Sequence, residues 1–471
     1  MNRKKMLAVT LATMFAFTTA PVISDIVGDL TGGKNVQQLS SAGHGAGIPT
    51  DSTVSPTSDS VFSLRHAFAE GNGVDFQLDL HYIPLMMRTE HYVVSDEKGD
   101  LLRARWTGIR VTGPVPFEPN INKALDAYTA KGEKQFAASS KKMVSDAKLD
   151  HSERAKYGAT FFPAFEDNSD IYVRRADSLV VSLLEFGSSY MGGAHGMYGF
   201  TGKTFDTYTG KEMQLTDVFT SQTAMTDAIK QQLMFDYPKA SFQGSNGASM
   251  RNMVDQLAKE GHLFWTMDPR GVTFYFNPYI LGSYAEGVFT TTLLYSERPQ
   301  IFKHNEYTKA IEWRGPKGYC MEIPSYLPVR LSDSPRGDRL SMMNDPEELL
   351  IDYCGEKLKD KFNAKNIRAT LVSMPEGERY LYVDYQKEDW KHAVRVYALG
   401  NEPVFVGEYA MTRFVSDMVG KNGSDWYVMT NPQEFYMTAM PGSGYAPWTK
   451  LTCRVGANGA PEVYEVKGGK G

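Results

Sequence analysis

Apolar and polar residues alternate from Phe76 through Leu78 and Leu80 against Gln77, Asp79 and His81, which predicts a half-buried strand starting near Val74. Pro114-Val-Pro-Phe-Glu-Pro119 must be extended. Behind it Ile121, Leu125 and Tyr128 recur at helical spacing, so a helix with Asn120 as its N-cap is expected to reach about Ser145. Ile171-Tyr-Val and Ser178 to Glu185 return to strand character, and Thr209-Gly210 reads as the turn of a hairpin between Phe205 and Leu215. Two helices follow. Met225, Ile229 and Leu233 share a face of the first, Ser221 to about Tyr237; Met250, Met253, Val254 and Leu257 share a face of the second, Ser249 to Glu260, which Gly261 ends. Leu263 to Trp265 and Val272 to Phe276 flank Asp268-Pro-Arg-Gly271 as another hairpin.

Further on, Asn344 or Asp345 as cap, an early proline and first-turn acids predict a helix from about 345 to Phe362. Seven short segments separated by Gly, Asn, Asp and Pro then predict an antiparallel meander: Arg368 to Val372, Arg379 to Tyr385, His392 to Ala398, Pro403 to Met411, Trp426 to Thr430, Phe435 to Ala439 and Leu451 to Val455. The aromatic stretch from Trp426 to Phe435 reads as the hairpin core of this part, or else as a contact surface. The tail from Lys467 to Gly471 is expected to be disordered. The fold class is therefore α+β, with antiparallel sheets and a few packed helices followed by a smaller β-rich C-terminal domain.

At the other end, Met1-Asn-Arg-Lys-Lys5 is basic and Met6 to Ala20 is uncharged, the pattern of a signal peptide over residues 1–24. Pro21 and Asp25 interrupt the run short of the about 20 apolar residues that span a bilayer. The scissile bond stays undecided, and an uncleaved anchor is the other reading. Either way the chain is expected to be extracytoplasmic, periplasmic or secreted. Residues 25–72, rich in Gly, Ser, Thr and Pro, read as a flexible linker. The remainder divides into 73–190, 191–300 and 301–471.

Composition narrows this picture in two ways. With 42% apolar residues over 471 positions the chain can bury more than one core, and a formal charge of −5 argues against nucleic acid while leaving a basic partner open. Cys320, Cys354 and Cys453 are the only cysteines, too few for a disulfide framework.

Tyr190-Met-Gly-Gly-Ala-His-Gly196 concentrates the chemistry. In order after it come Phe205-Asp-x-x-Thr-Gly-Lys-x-x-x-Leu-x-Asp-x-Phe219, the helical pair, Phe274-Tyr-Phe-Asn-Pro-Tyr279 and Tyr284-Ala-Glu-Gly287. This series resembles the extracytoplasmic domain shared by the lysozyme-sensing anti-sigma factor RsiV and the N-terminal part of the peptidoglycan deacetylase PdaC (domains of unknown function 4163 and 3298), over about Val74 to Glu297. The resemblance implies an α/β module that recognises something at the cell envelope, either a lysozyme-like protein or a peptidoglycan-derived glycan. Only five residues precede the apolar run, so a cytoplasmic sigma-binding segment is not expected. Deacetylase chemistry is not expected either: Thr204-Phe-Asp206 is followed by Thr207 rather than a second Asp, and no two histidines are four apart.

The candidate binding residues are Tyr190, Gly192, Gly193, His195, Gly196, Tyr275, Tyr279 and Tyr284, with Phe274 and Phe276 assigned to the core by strand alternation. The simpler reading of the loop is that its glycines let the backbone turn while His195 hydrogen-bonds a neighbouring strand. No catalytic residue, metal ligand or cofactor is assigned. A Ser188 or Ser189, His195, Asp206 triad lacks the Gly-x-Ser-x-Gly elbow, and neither His-Glu-x-x-His nor Cys-x-x-Cys occurs. The alternative function is a cell-wall hydrolase or amidase in which His195 works with Asp206 or Glu286.

Overall fold

The N-terminal architecture follows from one long helix crossing over a sheet. In the computed structural model the described residues run from 81 to 467, except 114, 116–118, 243–248, 304–306, 309–317, 332–338, 346, 363–364, 388–390 and 418–422. The predicted signal peptide, the linker, the strand expected before His81 and the tail 468–471 lie outside them. Strands β1 (Leu85–Asp96) and β2 (Gly99–Val111) form an antiparallel pair, and helix α1 (Pro119–Lys156) carries the chain back to β3 (Phe165–Ala176). That crossover is why β2 and β3 pair in parallel, while β4 (Val180–Tyr190) and β5 (Met197–Asp206) continue antiparallel. Pro119 takes the first helical position, and Asn120, expected as the cap, instead donates its side-chain amide to the Tyr208 carbonyl at 3.0 Å. The helix passes the expected end at Ser145 because Met143, Ala147 and His151 keep a buried stripe against Leu101, Leu102 and Phe165.

Helix α2 (Leu215–Val218) leads to α3 (Gln222–Asp236) and α4 (Met250–Glu260), as the spacing predicts. Ser221 and Ser249 cap α3 and α4 by accepting from the Ala224 and Asn252 amides, and Gly261 ends α4 in the left-handed conformation. Both helices pack on the sheet formed by β6 (Phe264–Met267), β7 (Gly271–Phe276) and β8 (Phe289–Leu294). All six residues of β7 are buried, Phe274 and Phe276 as expected.

The C-terminal part is β throughout its described elements. Strands β9 (Tyr319–Ile323), β10 (Val329–Arg330), β11 (Arg339–Asp345), β12 (Glu348–Tyr353), β13 (Glu356–Asp360), β14 (Lys365–Ser373), β15 (Arg379–Gln386), β16 (His392–Leu399) and β17 (Pro403–Tyr409) come first. Next are β18 (Met411–Thr412), β19 (Phe414–Asp417), β20 (Gly423–Tyr427), β21 (Phe435–Ala439), β22 (Lys450–Val455) and β23 (Pro461–Lys467). The seven segments predicted as one meander fall into three sheets. The first four are β14 to β17, completed by β9, and Trp426 lies on β20 in another sheet. The last two are β21 and β22 of the sheet β18-β21-β22-β23, which packs face to face against β14 to β17.

The helix expected over 345–362 is a hairpin instead. Leu349, Ile351 and Tyr353 are buried at a period of two, and Cys354 and Gly355 both take positive φ (57° and 92°), the backbone of a tight I′ turn. The stretch from Trp426 to Phe435 is core rather than contact surface, with Trp426, Met429 and Phe435 all buried, but Trp426 does not pack within the C-terminal sheets alone. Its strand β20 pairs with β1, opposing Met87, so the seven-stranded sheet runs β19-β20-β1-β2-β3-β4-β5 and draws on both ends of the chain.

Buried charges cross the same boundary. Glu322 on β9 is fully buried; it accepts Arg368 Nε at 2.8 Å and the Val173 amide at 2.7 Å. Arg368 also reaches Asp170, and Arg174 grips Asp268 through two bonds of 3.0 and 2.6 Å. Burial alone would raise the Asp170 carboxyl, but the Arg368 and Arg105 guanidiniums hold it below its usual range.

A smaller cluster sets an acid limit. Glu408 accepts from Lys387, from Tyr385 Oη at 2.6 Å and from Arg395 Nε at 3.0 Å. Against the desolvation that would raise it, these donors lower its pKa from 4.5 to about 2. A carboxyl depressed in the folded state stabilises it above the unfolded pKa and loses that contribution as pH falls through the folded one. Stability is therefore expected to fall between pH 4.5 and about 2. Urea midpoints measured across that window should show a shallower pH slope in Glu408→Gln than in the parent; equal slopes would show that these donors do not hold the carboxyl down.

Candidate functional site

The glycine-rich stretch is the turn between β4 and β5, and the end of α1 fixes its backbone. Gly192 has φ +75°, and its carbonyl accepts Arg154 Nη2 at 3.0 Å while Arg154 Nε holds Asp150 at 2.5 Å. At Gly196 a Cβ would lie 2.9 Å from the Ser189 carbonyl oxygen, so the hairpin closes only with glycine there. Gly193 is exposed with open space around it, and nothing in the structure explains it.

His195 is exposed, and its Nδ1 lies 2.8 Å from the oxygen of Gly196. It does not bond a neighbouring strand. Its ring instead stacks on Tyr284, centroids 4.2 Å apart and planes 27° apart. Tyr284 Oη donates to the same Gly196 carbonyl at 2.8 Å, which locks the phenol against the loop. Tyr198 meets Tyr284 edge-on at 5.7 Å, and Tyr279 lies 5.7 Å from it on another side. Burial and the nearby Tyr284 raise the Tyr198 phenol, so it stays neutral at physiological pH.

The support for this cluster comes from the Phe-Asn-Pro-Tyr segment. The Asn277 side chain takes the Phe200 amide at 2.8 Å and gives to the Phe200 carbonyl at 3.0 Å, docking the segment on β5 like a short extra strand. Tyr279 follows with φ +71°, unusual for an aromatic residue. Ser283 and Glu286 bracket the single turn that carries Tyr284. Bonds from the Ser283 amide and hydroxyl, at 2.8 and 2.9 Å, lower the Glu286 carboxyl.

Of the candidate residues, His195, Gly196, Tyr279 and Tyr284 come together, while Gly192 is held by Arg154 of α1 and Tyr190 ends β4. Tyr275 does not join them. It is 3% exposed, its hydroxyl lies 2.8 Å from Thr266 Oγ1, and burial pushes its pKa up. Tyr198 and Asn277 belong to the cluster but were not singled out from the sequence. Alternation from Phe200 would have placed Tyr198 on the shared face.

The Asp206 arm of the catalytic alternative is not assembled, and in the other arm the Glu286 carboxylate is held by Ser283, with no hydrogen bond or ion pair to His195 among the described residues. Asp206 ends β5 while His195 precedes its start, roughly 30 Å apart along an extended strand. The Asp206 carboxylate accepts Tyr307 Oη at 2.5 Å and the Thr209 amide at 2.6 Å. Among the described residues no group of three His, Cys, Asp or Glu side chains is placed to hold a metal ion, and no helix is long and apolar enough to cross a membrane.

An α+β chain with an aromatic cluster on a stiff hairpin is the class so defined. Residues 216–296, which run from α2 through β8, match the family described as a protein of unknown function, DUF3298, so the chain carries a DUF3298 domain. Among solved structures it is similar to a member of the DUF3298 family from Bacteroides fragilis NCTC 9343, with 17% identity over 50% of this chain and 98% of that one and a TM-score of 0.38. It is also similar to a DUF3298 family protein from Pseudomonas aeruginosa PAO1, with 15% identity over 49% and 97% and a TM-score of 0.30. No curated protein matches the chain.

Proposed function

We propose that this protein is an exported, non-catalytic recognition module of the cell envelope, and that its aromatic cluster binds peptidoglycan-derived glycan. The stacked, solvent-facing pair of His195 and Tyr284 carries the reading. Aromatic faces held rigid at a surface suit the apolar faces of sugar rings, and little entropy is lost when the rings are already locked by the Gly196 carbonyl. The basic n-region with its apolar run, and the resemblance to the RsiV and PdaC domain, support the envelope as the place.

The test is sedimentation of the full chain with insoluble peptidoglycan, with immobilised lysozyme as a parallel arm. Tyr284→Ala is expected to weaken retention on peptidoglycan by about 2 kcal/mol, roughly 30-fold, the loss typical of a hot-spot aromatic. Its melting temperature should stay close to the parent's. Saturable binding to lysozyme alone, lost in Tyr284→Ala, would replace glycan by protein as the ligand. Equal retention of parent and variant in both arms would remove the cluster from function.

A further inference from the structure

The strand register lines up one cross-strand row that ends at the aromatic cluster: His91 opposes Arg105, Arg105 opposes Asn168, Asn168 opposes Ser188, and Ser188 opposes Tyr198. Opposed residues point to the same side of a sheet. That side faces away from α1, since the alternate positions Trp106, Asp167 and Glu185 are the ones α1 covers, through Gly132, Ser139 and Tyr128. Further along the same face, C-terminal residues cover the sheet where Arg368 binds Asp170. The row itself stays at the surface, with His91 exposed and the other four half-buried.

Arg105 is the unusual member. Its one ion pair among the described residues, to Asp170 Oδ2, is long at 3.6 Å, and Asp170 is already taken by Arg368 at 3.1 Å. The Arg105 Nε is buried without a hydrogen-bond partner. A guanidinium has five donors in a planar fork matched to carboxylate geometry, and one left so loosely engaged favours an anionic partner. Asn168 Nδ2 and Ser188 Oγ, only 3.5 Å apart, offer donors and acceptors for hydroxyl groups between that charge and the rings. Arg105 and Tyr198 are three strands apart, about 14 Å, so a single small anion would not reach both.

We infer that the Arg105-Asn168-Ser188 row is a second subsite, for a carboxylate-bearing sugar of a glycan whose neighbouring ring stacks on Tyr284. The inference rests on the glycan reading above and adds the charge of the ligand. The carboxylate pairs with Arg105, the hydroxyls meet Asn168 and Ser188, and the next ring reaches Tyr198 and Tyr284.

Calorimetric titration of the full chain with two soluble probes tests it: a tetrasaccharide of hyaluronan, which carries carboxylates, and the neutral chitin tetramer. The acidic probe should bind more tightly, and Arg105→Gln should weaken it at least 10-fold while leaving the neutral probe unchanged. Tyr284→Ala should weaken both. Equal binding of the two probes, absence of binding by the acidic one, or an Arg105→Gln variant with parent affinity for it would each overturn the subsite. Loss of peptidoglycan retention in Tyr284→Ala alongside any of those results would leave the glycan reading standing without it.

Discussion

Glu322→Ala is expected to lower the stability of the chain by about 3–5 kcal/mol, the cost of breaking a fully buried ion pair from one side. The carboxylate lies within 2.8 Å of Arg368 Nε and 3.6 Å of Arg413 Nη1, and it satisfies the Val173 amide at 2.7 Å. Arg368 would keep Asp170, and Arg413 would keep Asp384 at 2.6 Å, but Arg368 Nε and the Val173 N–H would both be left buried without their acceptor. Because Glu322 comes from β9 and Val173 from β3, the damage falls on the junction of the N-terminal and C-terminal sheets. Glu322→Gln restores an acceptor for Val173 without the charge, so it should recover only part of the loss. Urea unfolding measures both; a change below 1 kcal/mol in Glu322→Ala would show that water replaces the carboxylate.

Gly202→Ala is expected to exceed even that and to leave little folded protein. A Cβ on Gly202 would lie 1.7 Å from the Trp265 carbonyl oxygen and 2.6 Å from its carbon. Both are backbone atoms, so no rotamer change relieves the overlap, and β5 and β6 would have to separate. Losses above about 4–5 kcal/mol come from mechanisms of this kind. The same separation would pull Asn277 from Phe200 and so dismantle the support under Tyr279 and Tyr284. Gly187→Ala, on the neighbouring strand with open space around the added methyl, should be tolerated. Soluble yield and a circular-dichroism melt compare the two; a Gly202→Ala variant that melts like the parent would contradict the close approach.

What could be read from the sequence was the part whose reason lies within a few residues. The helix starts at Ser221 and Ser249, the stop at Gly261 and the strand character of β14 to β16 are local signals, and the structure carries them as expected. The wet face that alternation promised for β15 and β16 is absent, because both strands are buried on both sides. The segment after Asn344 failed because a proline and two acids imitate a helix start, whereas the strand period of Leu349, Ile351 and Tyr353 gains its meaning from a partner strand. Tyr275 was placed at the surface on the assumption that one side of β7 is wet. With β6 and β8 beside it and cover on both faces, every residue of that strand is inside. Arg105 had no local signal at all, since its significance comes from the register of four other strands.

Within the cluster, the glycines, His195, Tyr279 and Tyr284 were legible as candidates, but the contact that joins them was not. Tyr284 lies far along the chain, and it is the shared Gly196 carbonyl that brings the two rings together. A motif reports where the backbone must turn; which ring lands on it depends on the tertiary path of the Phe-Asn-Pro-Tyr segment.

The most direct test of the recognition surface follows the His195 ring itself. In protein labelled with 13C on histidine rings, the resonance absent from His195→Ala should shift saturably as soluble peptidoglycan fragments are added, because a sugar stacking beside Tyr284 changes the ring-current field at His195. A His195 signal that stays fixed while the fragments bind elsewhere, or a spectrum that does not change at all, would contradict the account.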